Sequence, residues 1–288
     1  MRFLAQSWKT SGKFKAGLII LGILILLAII APLIYSPFTN GQSPARPGVF
    51  APWIKPNAAH PLGTEGAGRD VIGDFLGGLQ ATLLIGFLAG SVALLVGVVF
   101  GFIAGYKGGT VDTVLMTATN MLLVIPSYPI LVGLTLVVPE KNLVTMALIL
   151  AVFSWPFAAR TIRAQVIGMK QQPYIDLAKV SGQSDLAIIF TELAPNLLPY
   201  LLMSFAFSTV GAMVAEVGIA VIGLGPSTVV TLGMMINLAN GWGAFSRGLW
   251  AILLVPPSVL ILIFVAITLV NRGMEEYLNP RLQNVTGK

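Results

Sequence analysis

The chain has no cysteine and one histidine, and only 10% of its residues are charged. The missing cysteines exclude a disulfide framework, a thiolate nucleophile and any cysteine-ligated metal. The single histidine, His60, stands beside Pro61 with no second histidine to complete a metal site and no serine-centred motif near it, so a structural role is expected. No stretch matches the phosphate-cradling G-x-x-x-x-G-K-[ST]. The nearest text, "TSGKF", lacks the upstream glycine and carries Phe14 where the magnesium-binding hydroxyl belongs. ATP hydrolysis, if it drives this protein, belongs to another chain. A Ser/His, paired-Asp or metal constellation inside the apolar runs is also missing, which argues against an intramembrane enzyme.

What the chain has in abundance is apolar side chain. The hydrophobic fraction is 56% and the mean hydropathy +0.88, far from a soluble domain with roughly 25% charged residues. Runs long enough to cross a ~30 Å hydrocarbon core fall at about 16 to 36, 79 to 105, 113 to 138, 143 to 166, 197 to 222 and 249 to 271. Six spans of an all-α membrane protein are therefore expected. The first run follows a basic lead and exceeds the core of a signal peptide, so it reads as a retained span. Pro156 is expected to interrupt the fourth, and Pro126 and Pro129 in "LLVIPSYPIL" to kink or break the third.

The net charge of +6 is explained by topology rather than by nucleic acid. With the N-terminus inside, twelve of the 17 Lys and Arg residues fall in the N-terminal tail, the loop around Lys107, the segment 158 to 195 and the C-terminal tail. The outer loops keep Arg46, Lys55, Arg69, Lys141 and Arg247. The positive-inside rule then places both termini in the cytoplasm. Residues 37 to 78, rich in Pro and Gly, are expected as an irregular external loop, and 223 to 248 as a partly ordered external one.

Three features stand out along the spans. Gly86, Gly90, Gly97, Gly101 and Gly105 crowd the second one at small-xxx-small spacing, which lets helix backbones approach closely. Glu216 is the one carboxylate well inside an apolar run; it either faces a translocation path or is satisfied by helix-helix hydrogen bonds or a partner subunit. The third feature is a polar stretch, "QQPYIDLAKVSGQSDLAIIFTELAPN", at 171 to 196. Pro173 suits a first helical turn, Asp176 its positive end and Gly182 its termination; Ser184 and Asp185 favour a new start, and Pro195 an end. Two short helices result, the first with an apolar face of Tyr174, Ile175, Leu177 and Ala178 that needs covering.

This stretch resembles the cytoplasmic loop of ABC importer permeases, known by an E-A-A, then Gly, then I-x-L-P pattern. "DLAKVSG" stands for the first part and "FTELAPN" for the second, with Asp176, Ala178, Gly182, Pro195 and Asn196 matching or close. Asp replaces Glu, Leu177 the first Ala, and Ala194 the Leu. "HPLGTEGAGRDV", "EVGIAVIGLGP", "WAILLVPPSVLILIF" and "GMEEYLNPRL" are similar to the second permease subunit of the dipeptide, oligopeptide and nickel subgroup. Departures concentrate in 219 to 235.

The resemblance implies a six-helix transmembrane bundle of the type I importer kind with a cytoplasmic coupling-helix loop. The division would be 1–78 for the tail, first span and external loop, 79–278 for the permease domain, and 279–288 for the C-terminal tail. It implies a prokaryotic cell membrane and a homologous second permease. Two ATP-binding subunits would carry the ATP and magnesium, and an external solute-binding protein would dock on the outer loops. It also implies that Tyr174, Asp176, Leu177, Ala178, Gly182, Ser184 and Asp185 couple to the ATPases, and that the third, fifth and sixth spans line the path, with Pro126, Tyr128 and Glu216 as candidates. Peptides are the first expected cargo, short oligosaccharides the second. An ATP-independent secondary transporter or channel is the rival of another class.

Overall fold

The computed structural model describes residues 7–35 and 47–278. The 279–288 tail, the start of the 37–78 loop, and Arg2, Arg46, Arg281 and Lys288 lie outside them. The described residues are almost entirely helical, with one isolated extended pairing between Thr64 and Asp70. After helical residues 7–10, the α-helices of the described residues are, in order, α1 Gly12–Tyr35, α2 Val71–Lys107, α3 Gly109–Val124, α4 Ser127–Val137, α5 Leu143–Lys170, α6 Pro173–Val180, α7 Asp185–Ile188, α8 Ala194–Val221, α9 Leu232–Gly241 and α10 Trp250–Leu278. Among the described residues, five helical stretches are long and apolar enough to cross a membrane, and α3 with α4 makes a sixth if the bent pair counts as one span.

The helices depart from the sequence expectations in three places, each for a local reason, while the third span breaks as expected. The second span begins at Val71 rather than 79, because Asp70 caps it: its Oδ1 accepts the N–H of Ile72 at 2.8 Å and of Gly73 at 3.1 Å. At 37 residues this helix is about 55 Å long, well beyond the bilayer core. The third span is broken, its halves bent by 83°. Pro126 forces Ile125 into extended backbone, at φ −69° and ψ 128°, and the helix stops there.

The fourth span does not break: α5 continues through Pro156 to Lys170. Nor does Pro195 end the helix begun at Asp185. A π turn over Ile189–Leu193 carries α7 into α8, with the N–H of Ala194 reaching back five residues to the carbonyl of Ile189. The regular ladder is already offset there, so the missing N–H of Pro195 falls where it does least damage. Asn196 donates its side-chain amide to the Glu192 carbonyl at 2.7 Å. The second helix of the polar stretch is thus the foot of the fifth span.

The chain divides into two compact units. The first comprises Met1–Gly86, Val132–Met146 and Met213–Lys288. Within it α1 packs along α10: a side chain at Gly17 would collide with the backbone of Ala266 and Val270, and one at Gly273 with Phe14. Lys13 pairs with Glu276 at 2.5 Å, and Ser11 donates to the same carboxylate at 2.8 Å. The segment before α2 belongs here too. Arg69 bonds Glu65 at 2.8 Å and Asp74 at 3.1 Å, all three buried, and His60 pairs with Asp70 at 2.7 Å while packing edge-on against Phe50. His60 is thereby a structural residue of this turn.

The second unit comprises Phe87–Leu131 and Ala147–Ala212. Its core is a close contact of α2 with α5, built on the glycine stripe. An added Cβ at Gly97 would lie 2.7 Å from that of Ala158, at Gly101 2.9 Å from the Ala159 carbonyl, and at Gly105 2.8 Å from Val166. Gly90 faces Thr209 of α8 in the same way, at 2.2 Å from its hydroxyl. The small-residue spacing therefore serves packing inside the chain.

Candidate functional site

The polar stretch 171–196 lies in the second unit and is built outward from its core. α6 opens with Pro173 at its first turn after Gln172 and closes in a Schellman motif: Gly182 donates to the Lys179 carbonyl at 2.9 Å and Gln183 to that of Ala178 at 3.1 Å. Gly182 sits at φ +81°, in the left-handed region, with open space around its Cα. Ser184 then caps the next helix, accepting the N–H of Ala187 at 3.3 Å. The turn between the two helices is thus specified by backbone chemistry at three consecutive residues.

The apolar face expected on α6 divides. Ile175 and Ala178 turn inward and join a cluster with Phe102, Tyr106, Ile162, Val166, Ile188 and Leu193. Tyr174 and Leu177 remain on the surface. Two polar ties run through Tyr106 of that cluster, one of them to the stretch. Tyr106 donates its hydroxyl to Asp185 at 2.7 Å, and Lys170 donates to the Tyr106 carbonyl while its ammonium lies 5.2 Å from the Tyr106 ring centre. Asp112 and Arg163 add a bidentate pair, both bonds 2.5 Å, between α3 and α5. Asp185 and Ala178, named from the sequence as contact residues, are committed to these internal contacts.

What remains outside is a ridge. Leu177 is 67% exposed, Val180 86%, Leu186 68% and Phe190 71%, beside an exposed Asp176–Lys179 pair at 3.4 Å. Val180, Leu186 and Phe190 were not singled out from the sequence. Their signal was available: Leu177 and Val180 stand three apart on a helix whose other face is Ile175 and Ala178. Burial, then the negative charge of Glu192, pushes the Tyr174 hydroxyl above its ordinary pKa, so it stays a neutral donor at the edge of this ridge.

The path candidates lie elsewhere. Pro126 and Tyr128 are exposed at the bend between α3 and α4. Glu216 is fully enclosed in the first unit, where its Oε1 accepts the hydroxyl of Thr231 at 2.6 Å. The structure brings together Tyr174 to Asp185 within the second unit.

Comparison with known proteins gives the family of this helical chain with its membrane-length spans. Residues 97–284 match the family described as "Binding-protein-dependent transport system inner membrane component", and the chain belongs to it. The resemblance to ABC importer permeases is borne out. Among curated relatives, the dipeptide transport system permease protein DppC of Bacillus subtilis is 29% identical over 98% of this chain and 87% of its own length. The oligopeptide transport system permease protein OppC of Mycobacterium bovis is 31% identical over 78% of this chain and 77% of its own. A putative peptide transport system permease protein of Brucella suis is 31% identical over 94% and 88%.

Proposed function

We propose that this chain is the permease subunit of an ATP-driven importer of peptides. In this reading it pairs with a homologous permease, receives solute from an external binding protein, and is driven by two ATP-hydrolysing subunits that supply the ATP and magnesium chemistry. The peptide assignment follows the names of its relatives. The distribution of Lys and Arg supports a multi-pass protein with both termini, and the 171–196 stretch, in the cytoplasm.

One observation carries the coupling role. The ridge of Leu177, Val180, Leu186 and Phe190 is exposed on a segment whose other face is anchored by Ile175, Ala178 and the Tyr106–Asp185 bond. Four large apolar side chains facing water on a polar loop mark a protein interface. An ATPase groove closing on ATP would push this ridge, and the anchored face would pass the push to α2, α5 and α8 as a rigid unit. Pro126 and Tyr128, at the bend, are the proposed path residues.

The test is co-expression with the neighbouring ATPase subunits, purification in nanodiscs, and assay of ATP-dependent peptide uptake. Leu177→Asp with Leu186→Asp is expected to leave insertion intact and abolish ATPase co-purification. Uptake driven by an ion gradient with no ATPase attached would overturn the reading in favour of a secondary transporter. Binding-protein affinity for oligosaccharides but not peptides would overturn only the cargo.

A further inference from the structure

Glu216 is a buried carboxyl in the apolar run of α8 that the coupling reading does not use. Its Oε1 accepts from Thr231, and its Oε2 has no hydrogen-bond partner among the described residues. Intramembrane carboxyls are expensive enough to need a reason.

The reason lies in what Thr231 does next. Its Oγ1 also accepts the N–H of Met234 at 3.2 Å, which makes it the cap on which α9 begins. The N–H of Leu232 donates to Thr82 of α2 at 3.1 Å, and Asn237 donates its side-chain amide to the carbonyl of Val221, the last residue of α8, at 2.7 Å. Under these bonds α9 is seated closely, with Leu232, Gly233 and Met235 buried. A Cβ at Gly233 would lie 2.8 Å from that of Ala220 and 2.9 Å from the Cα of Val217, and one at Gly78 3.3 Å from the Leu232 nitrogen. Close contacts between small residues set how near the two helices lie and leave room for directional bonds to fix their register. Hydrogen bonds in a low-dielectric surround do fix it, because a slipped register leaves buried donors unpaired.

We propose that Glu216 is a positioning residue for transport: its carboxyl pins the capping hydroxyl of α9 to α8, so that α9 moves as a rigid extension of α8 through the transport cycle. Glu216 then acts through Thr231 and touches no solute. The functional readout rests on the importer reading; the geometry does not.

The absence of cysteine makes the geometry measurable in the full chain. Spin labels at Val214→Cys and Asn240→Cys, both at exposed positions of α8 and α9, report their separation in nanodiscs by pulsed resonance. A single narrow distance is expected in the parent and in Glu216→Gln, whose amide oxygen still accepts from Thr231. Glu216→Leu and Thr231→Val are expected to broaden it. Both should lower the maximal uptake rate, Glu216→Leu by up to about tenfold, the upper worth of one net hydrogen bond, and Thr231→Val, which also loses the cap on Met234, by at least as much, with KM unchanged and the double variant no worse than Thr231→Val alone. Thr231→Ser should restore the parent values. A narrow distance in Thr231→Val overturns the proposal whether or not uptake is seen. So does loss of uptake in Glu216→Gln at unchanged distance, which would assign the carboxylate charge to the path instead. Should Glu216→Leu fail to insert, the Thr231 pair of variants decides alone.

Discussion

Tyr106 and Asp185, 79 residues apart in sequence, share a hydrogen bond of 2.7 Å that ties the last turn of α2 to the start of α7. Because the acceptor is a carboxylate, the bond belongs to the stronger charge-assisted kind. Tyr106→Phe keeps the ring, and with it the cation contact to Lys170, but removes the donor. The expected cost is about 1.5–3 kcal/mol of local stability. Hydrogen exchange should show faster exchange confined to the amides of 184–188, with α5 unchanged.

Gly182 sits in open space, so size alone is tolerated there; its φ of +81° is what a side chain resists. Gly182→Val should strain the Schellman turn by roughly 1–3 kcal/mol and re-aim α6 relative to α7. The expected phenotype is normal insertion with ATP hydrolysis uncoupled from uptake, or with no bound ATPase at all. Normal coupled transport in this variant would count against the docking role.

The glycines of the spans separate into two groups that a stability measurement can distinguish. Gly97→Val and Gly101→Val place atoms within 3 Å of Ala158 and Ala159, and overpacking of this kind typically costs 1–3 kcal/mol or more. Gly22→Ala and Gly211→Ala meet nothing within 4 Å and gain helix propensity, worth up to about 1 kcal/mol per site. Thermal unfolding in detergent should fall in the first pair and hold or rise in the second.

Arg163 grips Asp112 through two parallel bonds of 2.5 Å. Lysine cannot reproduce that fork. Arg163→Lys should therefore destabilise the contact between α3 and α5 nearly as much as Arg163→Gln, and Asp112→Asn combined with either should add little further. Coupling near zero in that double-mutant cycle would show that the pair is ornamental.

Much of the arrangement was legible in the sequence because it rests on local chemistry. The apolar runs, the cap at Ser184, the stop at Gly182 and the break before Pro126 all depend on residues within a turn of each other. The Asp70 cap was equally local, and it marks the true start of α2. Two prolines misled in the opposite direction. Pro156 and Pro195 read as interruptions, yet a helix continues through both, because neighbouring helices hold the segment and a π turn absorbs the offset at Pro195.

What sequence alone determined, then, is the membrane class, the placing of the apolar runs and the helix-Gly-helix stretch, each set by burial of apolar surface or by backbone capping within a few residues. Only tertiary structure decided which way that stretch faces. The choice between Ile175 inward and Leu177 outward was made by the cluster it docks on, whose members Phe102, Ile162 and Leu193 come from three other helical segments. Tertiary structure also joined Glu216 to Thr231 across 15 residues, because a hydrogen bond between separate helices depends on how they pack and leaves no periodicity to read.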